Sequence, residues 1–284
     1  MSVTEDIIAR FKDSKTLPHV ALRVTRMVND ESSTMQDFEK VIQLDPLLVT
    51  RLLRLVNSPY FGIIGRVESI SKAVVFVGMK SLRNLVAVEA LRDIFDCGCD
   101  CPAGEFSRRQ LWLHSATVAI LTDMVGKRIF GDAREDLFLA GIIHDVGLIA
   151  IDQVAGDKLR QACRLYQPGR NSIVECEEEV LGTDHCRVGY QLARSWNMPS
   201  DVMKAIRFHH KSDKSIKPES ITGILQLAEF IASKMGYSML RDKVEPLPNH
   251  LVKHVKSMLD NYKIIVRDAP GEIAKAKSFY ESGG

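Results

Sequence analysis

In the stretch Phe138-Leu139-Ala140-Gly141-Ile142-Ile143-His144-Asp145-Val146-Gly147, a histidine and an aspartate stand side by side inside an apolar run. A neutral imidazole and a carboxylate are good ligands for a divalent cation, and an apolar segment is a costly place to leave them unpaired. Other groups must meet them there. The candidates are His114 in Leu111-Trp112-Leu113-His114-Ser115, His185 in Gly182-Thr183-Asp184-His185, the doublet His209-His210, and Glu229 in Leu227-Ala228-Glu229-Phe230. From His114 to Glu229 the seven residues are separated by 30, 1, 40, 24, 1 and 19 positions, so only the fold can gather them. Such a donor set suits one or two cations of the Fe, Mn, Zn or Mg kind. For any one histidine taken alone, a surface or hydrogen-bonded side chain is the competing reading.

Helices must do the positioning, because strand-like alternation is nearly absent and the chain reads as all-α. Each candidate ligand falls on or beside a helical segment: Leu111 to Phe130, Asp136 to Asp152, Gly156 to Tyr166, Ile173 to Leu181, Cys186 to Trp196, Ser200 to His210 and Glu219 to Met235. A helical bundle can point such side chains at a common centre, as di-metal bundles do. Further back, Asp37 to Val56 carries apolar residues at three- and four-residue steps. It is interrupted at Asp45-Pro46, which reads as an N-cap followed by a proline at the first helical position. Asn57 to Gly62 reads as a turn. Ser69 to Val77, a bend at Gly78 and a second helix through Leu91 follow. Between Phe95 and Arg109 the pattern collapses into Cys, Gly, Asp, Pro and Ser, which divides the chain into 1–105 and 106–284. The more charged C-terminal part predicts a peripheral helix around Leu251 to Tyr262.

Composition narrows the function classes. A chain of 284 residues with 45% hydrophobic and 26% charged residues can bury a sizeable core and is neither disordered nor collagenous. A formal charge of +2 gives no global argument for nucleic acid or an anionic membrane as partner. Met1 to Asp6 lacks the pattern of a secretory signal and no apolar run approaches the roughly 20 residues of a span, so a cytoplasmic location is expected. Cys97, Cys99 and Cys101 read as a thiol-rich loop, since no second cluster completes a four-sulfur site. The segment from Ser71 to Leu91 has the helix-glycine-helix outline of a DNA reader. Val74, Val75, Phe76 and Val77 are too apolar for a recognition face, and packing is the better account. Tyr60, Phe61, Ile63 and Ile64 are candidates for a docking loop or for buried turn residues.

The order His114, His144-Asp145, His185 and His209-His210 resembles the ligand frame of the HD superfamily of phosphohydrolases. The first half narrows it. Leu17-Pro18, Val41-Ile42-Gln43-Leu44-Asp45-Pro46, Leu55-Val56-Asn57-Ser58-Pro59-Tyr60-Phe61-Gly62 and Ser69 to Gly78, with Gly182 to Gly189 and Trp196-Asn197-Met198-Pro199 later, resemble HDOD domains, the HD-related output domains of bacterial signalling proteins. The resemblance runs from about Leu17 to about Met235. It implies an N-terminal helical bundle packed on an HD-like helical core, and a module without a metal site that relays a signal through a partner protein; this chain departs from that pattern by keeping His114 and His144-Asp145, so its pocket is expected to bind metal. A nucleotide is the ligand class such a pocket suggests. The rival readings are a metal-dependent phosphohydrolase acting on a nucleotide or cyclic dinucleotide, and a DNA-binding regulator. Active cyclic-dinucleotide phosphodiesterases of the wider group carry a lysine three residues after the HD aspartate, where Leu148 stands here. They usually supply a late aspartate where Glu229 stands, and their Gly-Tyr-Pro signature is missing.

Overall fold

The computed structural model describes residues 2–14, 34–43, 46–57, 63, 65–78, 82, 106–132, 134, 136–240, 244 and 246–281. Among these residues every regular element is a helix, as the periodicity predicts. In chain order they are α1 (Val3–Ser14), α2 (Met35–Ile42), α3 (Pro46–Val56), α4 (Ile70–Val77), α5 (Arg108–Ile129), α6 (Asp136–Ile143) and α7 (Val146–Leu165). Then follow α8 (Ile173–Leu181), α9 (His185–Ser195), α10 (Ser200–Phe208), α11 (Ile221–Lys234), α12 (Asn249–Ser257) and α13 (Leu259–Glu281). The chain divides into two compact units, one of Met1–Lys15 with Phe95–Ala269 and one of Thr16–Ile94 with Pro270–Gly284. The N-terminal helix α1, which the periodicity reading did not single out, thus groups with the later helices, packing on α7 and α9.

In the smaller unit, α2 begins with a capping box in which Thr34 and Asp37 satisfy each other's backbone N–H groups, and α3 begins at Pro46 as expected. Asn57 closes α3 against the following loop: Nδ2 donates to the carbonyls of Leu53 and Val67, both at 2.7 Å, and Oδ1 accepts from the Val67 N–H at 2.7 Å. Val41, Ile42, Leu52, Val56, Ile70 and Ala73 build the core. Gly78 takes φ +82 where α4 ends, which is why a glycine stands there. Val74 and Val77 pack against this core, whereas Val75 and Phe76 are exposed. Leu17-Pro18, Asp45, residues 58–62, most of 79–91 and Cys97, Cys99 and Cys101 lie outside the described residues.

The larger unit holds all seven candidate ligands. Here α5 packs on α6 and α11, α7 on α8 and α9, and α10 on α9 and α11. Three sequence expectations are corrected. The segment Asp136 to Asp152 is not one helix, because α6 stops at Ile143 and α7 starts at Val146, leaving His144 and Asp145 on the turn between. The separate helix expected from Gly156 is instead a continuation of α7, marked by non-helical angles at Ala155 (φ −144, ψ 41). The peripheral helix is two helices, α12 and α13, meeting at Met258 (φ −127), and the second runs through Pro270. One amendment concerns the membrane. Asp136–Leu165 has the length and apolarity to span one, yet 78% of its most apolar window is buried inside the fold, as befits core helices.

Candidate metal centre

Two glycines seat the His144-Asp145 turn. A Cβ on Gly141 would run into the backbone of Ala119 on α5, and one on Gly147 into the carbonyl of His185 at the start of α9. The α6–α7 corner therefore presses against both neighbours at backbone contact, and the turn between the glycines points inward. His144 and His185 are completely buried, and His114, Asp145 and His209 nearly so, while His210 and Glu229 are half-buried. All seven sequence candidates converge on this point.

The geometry sorts them into two overlapping groups: His114, His144, Asp145 and Glu229, and Asp145, His185, His209 and His210. Asp145 belongs to both, and its two oxygens face different partners. Oδ2 lies 3.3 Å from His144 Nε2 and 3.6 Å from His114 Nε2, whereas Oδ1 lies 3.4 Å from both His185 Nε2 and His209 Nε2. Glu229 Oε1 completes the first group, 3.1 Å from His144 Nε2 and 3.7 Å from His114 Nε2. A carboxylate with one oxygen toward each histidine pair is the arrangement of a bridging ligand between two cations.

The outer edges of the imidazoles fix their protons. His114 Nδ1 donates to the Tyr237 carbonyl at 2.7 Å, His144 Nδ1 to the Gly141 carbonyl at 2.7 Å and His209 Nδ1 to the Ile206 carbonyl at 2.9 Å. A carbonyl can only accept, so each Nδ1 carries hydrogen and each neutral ring turns a bare Nε2 inward. His185 Nδ1 does the same toward the Glu177 carboxylate at 2.6 Å. The Nε2 atoms then face each other in pairs, 3.2 Å apart for His114 and His144 and 3.3 Å for His185 and His209. Two bare acceptors do not bond to each other. Two nitrogens on one cation, each about 2.0–2.1 Å from it, stand about 3.0–3.4 Å apart, so these spacings match the edges of a coordination shell. Asp145 Oδ1, buried and without a hydrogen-bond partner, is the orphan acceptor that a cation would satisfy. The donor set fits a divalent pair.

Without a cation the same groups must share protons. Burial works to raise the Asp145 and Glu229 carboxyls, yet the histidines around them hold both well below the usual carboxylate range. Burial likewise opposes charging His144, but Asp145 and Glu229 lift it to about 9. His185 and His209 are also raised against desolvation, by Cys186 together with Glu177 and Asp145 respectively. The buried carboxylates of this centre are thus stabilised by positive charge gathered around them.

Two neighbours escaped the sequence reading. Glu177, fully buried on α8, orients His185 in the way carboxylates orient metal-binding histidines. Cys186 places its sulfur 3.5 Å from His185 Nε2. Burial tends to raise that thiol, but His185 and His209 outweigh it and bring it down to about 6. Leu148, three residues after Asp145, is completely buried in the core. A cavity of about 430 Å³ opens onto the centre, lined by His114, Asp145, His209, His210 and Glu229 at its floor and by Arg170, Phe230 and Leu240 further out.

Comparison with known proteins agrees with this architecture. The sequence model of the HDOD domain matches residues 15–212. An uncharacterized protein of Treponema pallidum (strain Nichols) is 26% identical over 248 residues, 87% of this chain and 47% of its own length, so the chain spans about half of that relative. Among solved structures, an HDOD domain protein of unknown function from Geobacter sulfurreducens superposes with a TM-score of 0.68 at 22% identity, covering 93% of this chain and 97% of that one. A proposed signal transduction protein from Marinobacter aquaeolei VT8 gives 0.74 at 22% identity, covering 98% and 65%. A proposed phosphohydrolase from Shewanella amazonensis SB2B gives 0.64 at 27% identity, covering 98% and 95%.

Proposed function

The chain belongs to the HDOD domain family, and from that membership we propose a bacterial, cytoplasmic signalling module whose pocket holds a pair of divalent metal ions and which acts through contacts with a partner protein. The observation that carries the metal reading is the division of Asp145 between two histidine pairs, one carboxylate oxygen to each. His114, His144 and Glu229 would hold one ion, and His185, His209 and His210 the other, with Asp145 between them. The neighbour from Marinobacter aquaeolei VT8 adds support for the signalling role, as a likeness of fold. A nucleotide in the cavity is the ligand class we favour.

The second reading is a metal-dependent phosphohydrolase, favoured by the cavity standing directly over the centre and by the Shewanella amazonensis neighbour. A bound divalent pair would polarise a phosphoryl oxygen and lower the pKa of a coordinated water. The chain's own residues supply less. Leu148 is packed in the core and offers no charge to a transition state, and among the described residues Arg170 is the one arginine or lysine lining the cavity. Loss of one such electrostatic contact typically lowers a rate by about 10²–10³. The lining therefore favours binding over rapid turnover.

Elemental analysis of the purified protein beside a His144→Ala/Asp145→Ala variant tests the proposal. About two metal ions per chain in the parent and none in the variant support it, and a phosphodiesterase assay on the loaded parent separates the two readings. A metal-free parent that takes up no divalent ion on reconstitution rejects both.

A further inference from the structure

We infer that Cys186 is an additional ligand of the second metal position, so that the two positions differ in kind, one of nitrogen and oxygen donors and the other carrying sulfur. The inference rests on the metal-pair reading above. It starts from where α9 begins. Asp184 caps the helix through the Arg187 N–H at 2.7 Å, which places His185 and Cys186 on its first turn, both buried.

The sulfur lies 3.5 Å from His185 Nε2 and 3.9 and 4.0 Å from the two nitrogens of His209. At a near-tetrahedral angle on an ion with bonds of about 2.0–2.1 Å to nitrogen and about 2.3 Å to sulfur, the nitrogen–sulfur edge is about 3.5 Å. The His185 edge already has that length. The His209 edge is longer by about half an ångström, a gap that a small turn of the Cys186 side chain closes. Asp145 Oδ1, 3.4 Å from both histidines and lacking a hydrogen bond, and His210 remain donors of the same position, so Cys186 would make it five-coordinate. His210 stands on the cavity side of the same group.

The chemical consequence is selectivity. Thiolate favours zinc and ferrous iron over magnesium or manganese, and more strongly than the imidazoles and carboxylates of the position of His114, His144 and Glu229 do. On binding, the thiol proton leaves to solvent as the sulfur–metal bond forms, and no oxidant or reductant is needed.

The test uses the full chain with Cys97, Cys99 and Cys101 all changed to serine, so that the thiol-rich segment contributes nothing. The apoprotein is titrated with Co(II) without oxygen, and the thiolate-to-cobalt charge-transfer band in the near ultraviolet is followed together with bound cobalt. The expected result is a band growing with one of two bound ions, absent in Cys186→Ser and in Cys186→Ala, with zinc affinity at that position lowered at least about tenfold. Both variants are used so that a folding defect in one does not decide the matter. Cys163→Ser and Cys176→Ser, changing the buried cysteines of α7 and α8, should keep the band. Two bound cobalt ions without a band, or a band that survives in Cys186→Ser, overturn the inference and leave the metal pair standing. No bound cobalt in the parent overturns both.

Discussion

Glu177 takes two hydrogen bonds from His185 on a single carboxylate oxygen, Oε2, one from the backbone N–H at 2.8 Å and one from Nδ1 at 2.6 Å. One buried carboxylate thus sets both where α9 starts and which way its first imidazole faces. Partners of this kind typically change metal affinity by about 10–100-fold. Glu177→Ala should lower affinity within that range at the His185 position and lower stability by about 1–3 kcal/mol, since two donors lose their acceptor. Calorimetric metal titration and urea unfolding measure the two effects. Equal affinity in parent and variant would remove Glu177 from the site.

Metal uptake should be coupled to proton release. In the metal-free protein His144 titrates at about 9, so at pH 7 the ring is charged and must lose a proton to offer Nε2. Apparent affinity should rise with pH from 7 through about 9, with His185 and His209 adding to the released protons. Titration calorimetry in two buffers of different ionisation enthalpy reads the protons directly, and a buffer-independent heat would contradict the expectation.

Gly147→Ala should be strongly destabilising, because the added methyl meets the His185 carbonyl and the Gly189 N–H with no flexible side chain to yield. Overpacking typically costs about 1–3 kcal/mol, and rigid backbone on both sides puts this case at the upper end. Gly271→Ala on α13, where nothing lies near the new methyl, should instead be neutral or stabilising by up to about 1 kcal/mol. Denaturant midpoints of the two variants give the comparison.

Asn57→Ala removes three hydrogen bonds of 2.7 Å from the smaller unit and touches nothing at the metal centre. Net losses of about 0.5–1.5 kcal/mol per bond, reduced by solvent at this exposed residue, predict about 1–3 kcal/mol of destabilisation with unchanged metal content. A drop in metal content would show that the two units depend on each other.

The sequence made the helices legible because apolar residues recur at three- and four-residue steps, and it exposed His144-Asp145 because ionisable residues in an apolar run have few other uses. It hid the break at that same pair, since Gly141-Ile142-Ile143 and Val146-Gly147 continue the apolar run on both sides without a proline or a polar cluster. Glu177 has acidic neighbours in Glu175, Glu178 and Glu179, so nothing in its residue type sets it apart. A signal was nonetheless present, for Glu177 lies four residues from both Ile173 and Leu181, on the buried stripe of α8. Cys186 had no distinguishing pattern at all. Only the first turn of α9 sets its sulfur beside two imidazoles.

The convergence of His114 and Glu229 on His144 has a further meaning for the chain as a polymer. An ion held by these residues would act as a crosslink between segments 115 positions apart, and its partner would tie residue 185 to 209 inside that span. A covalent link closing a loop of about 100 residues removes denatured-state entropy worth about 4.7 kcal/mol in the simplest account. Chelation should therefore be felt as an untying of the whole helical unit, lowering its melting temperature even though every helix keeps its own sequence.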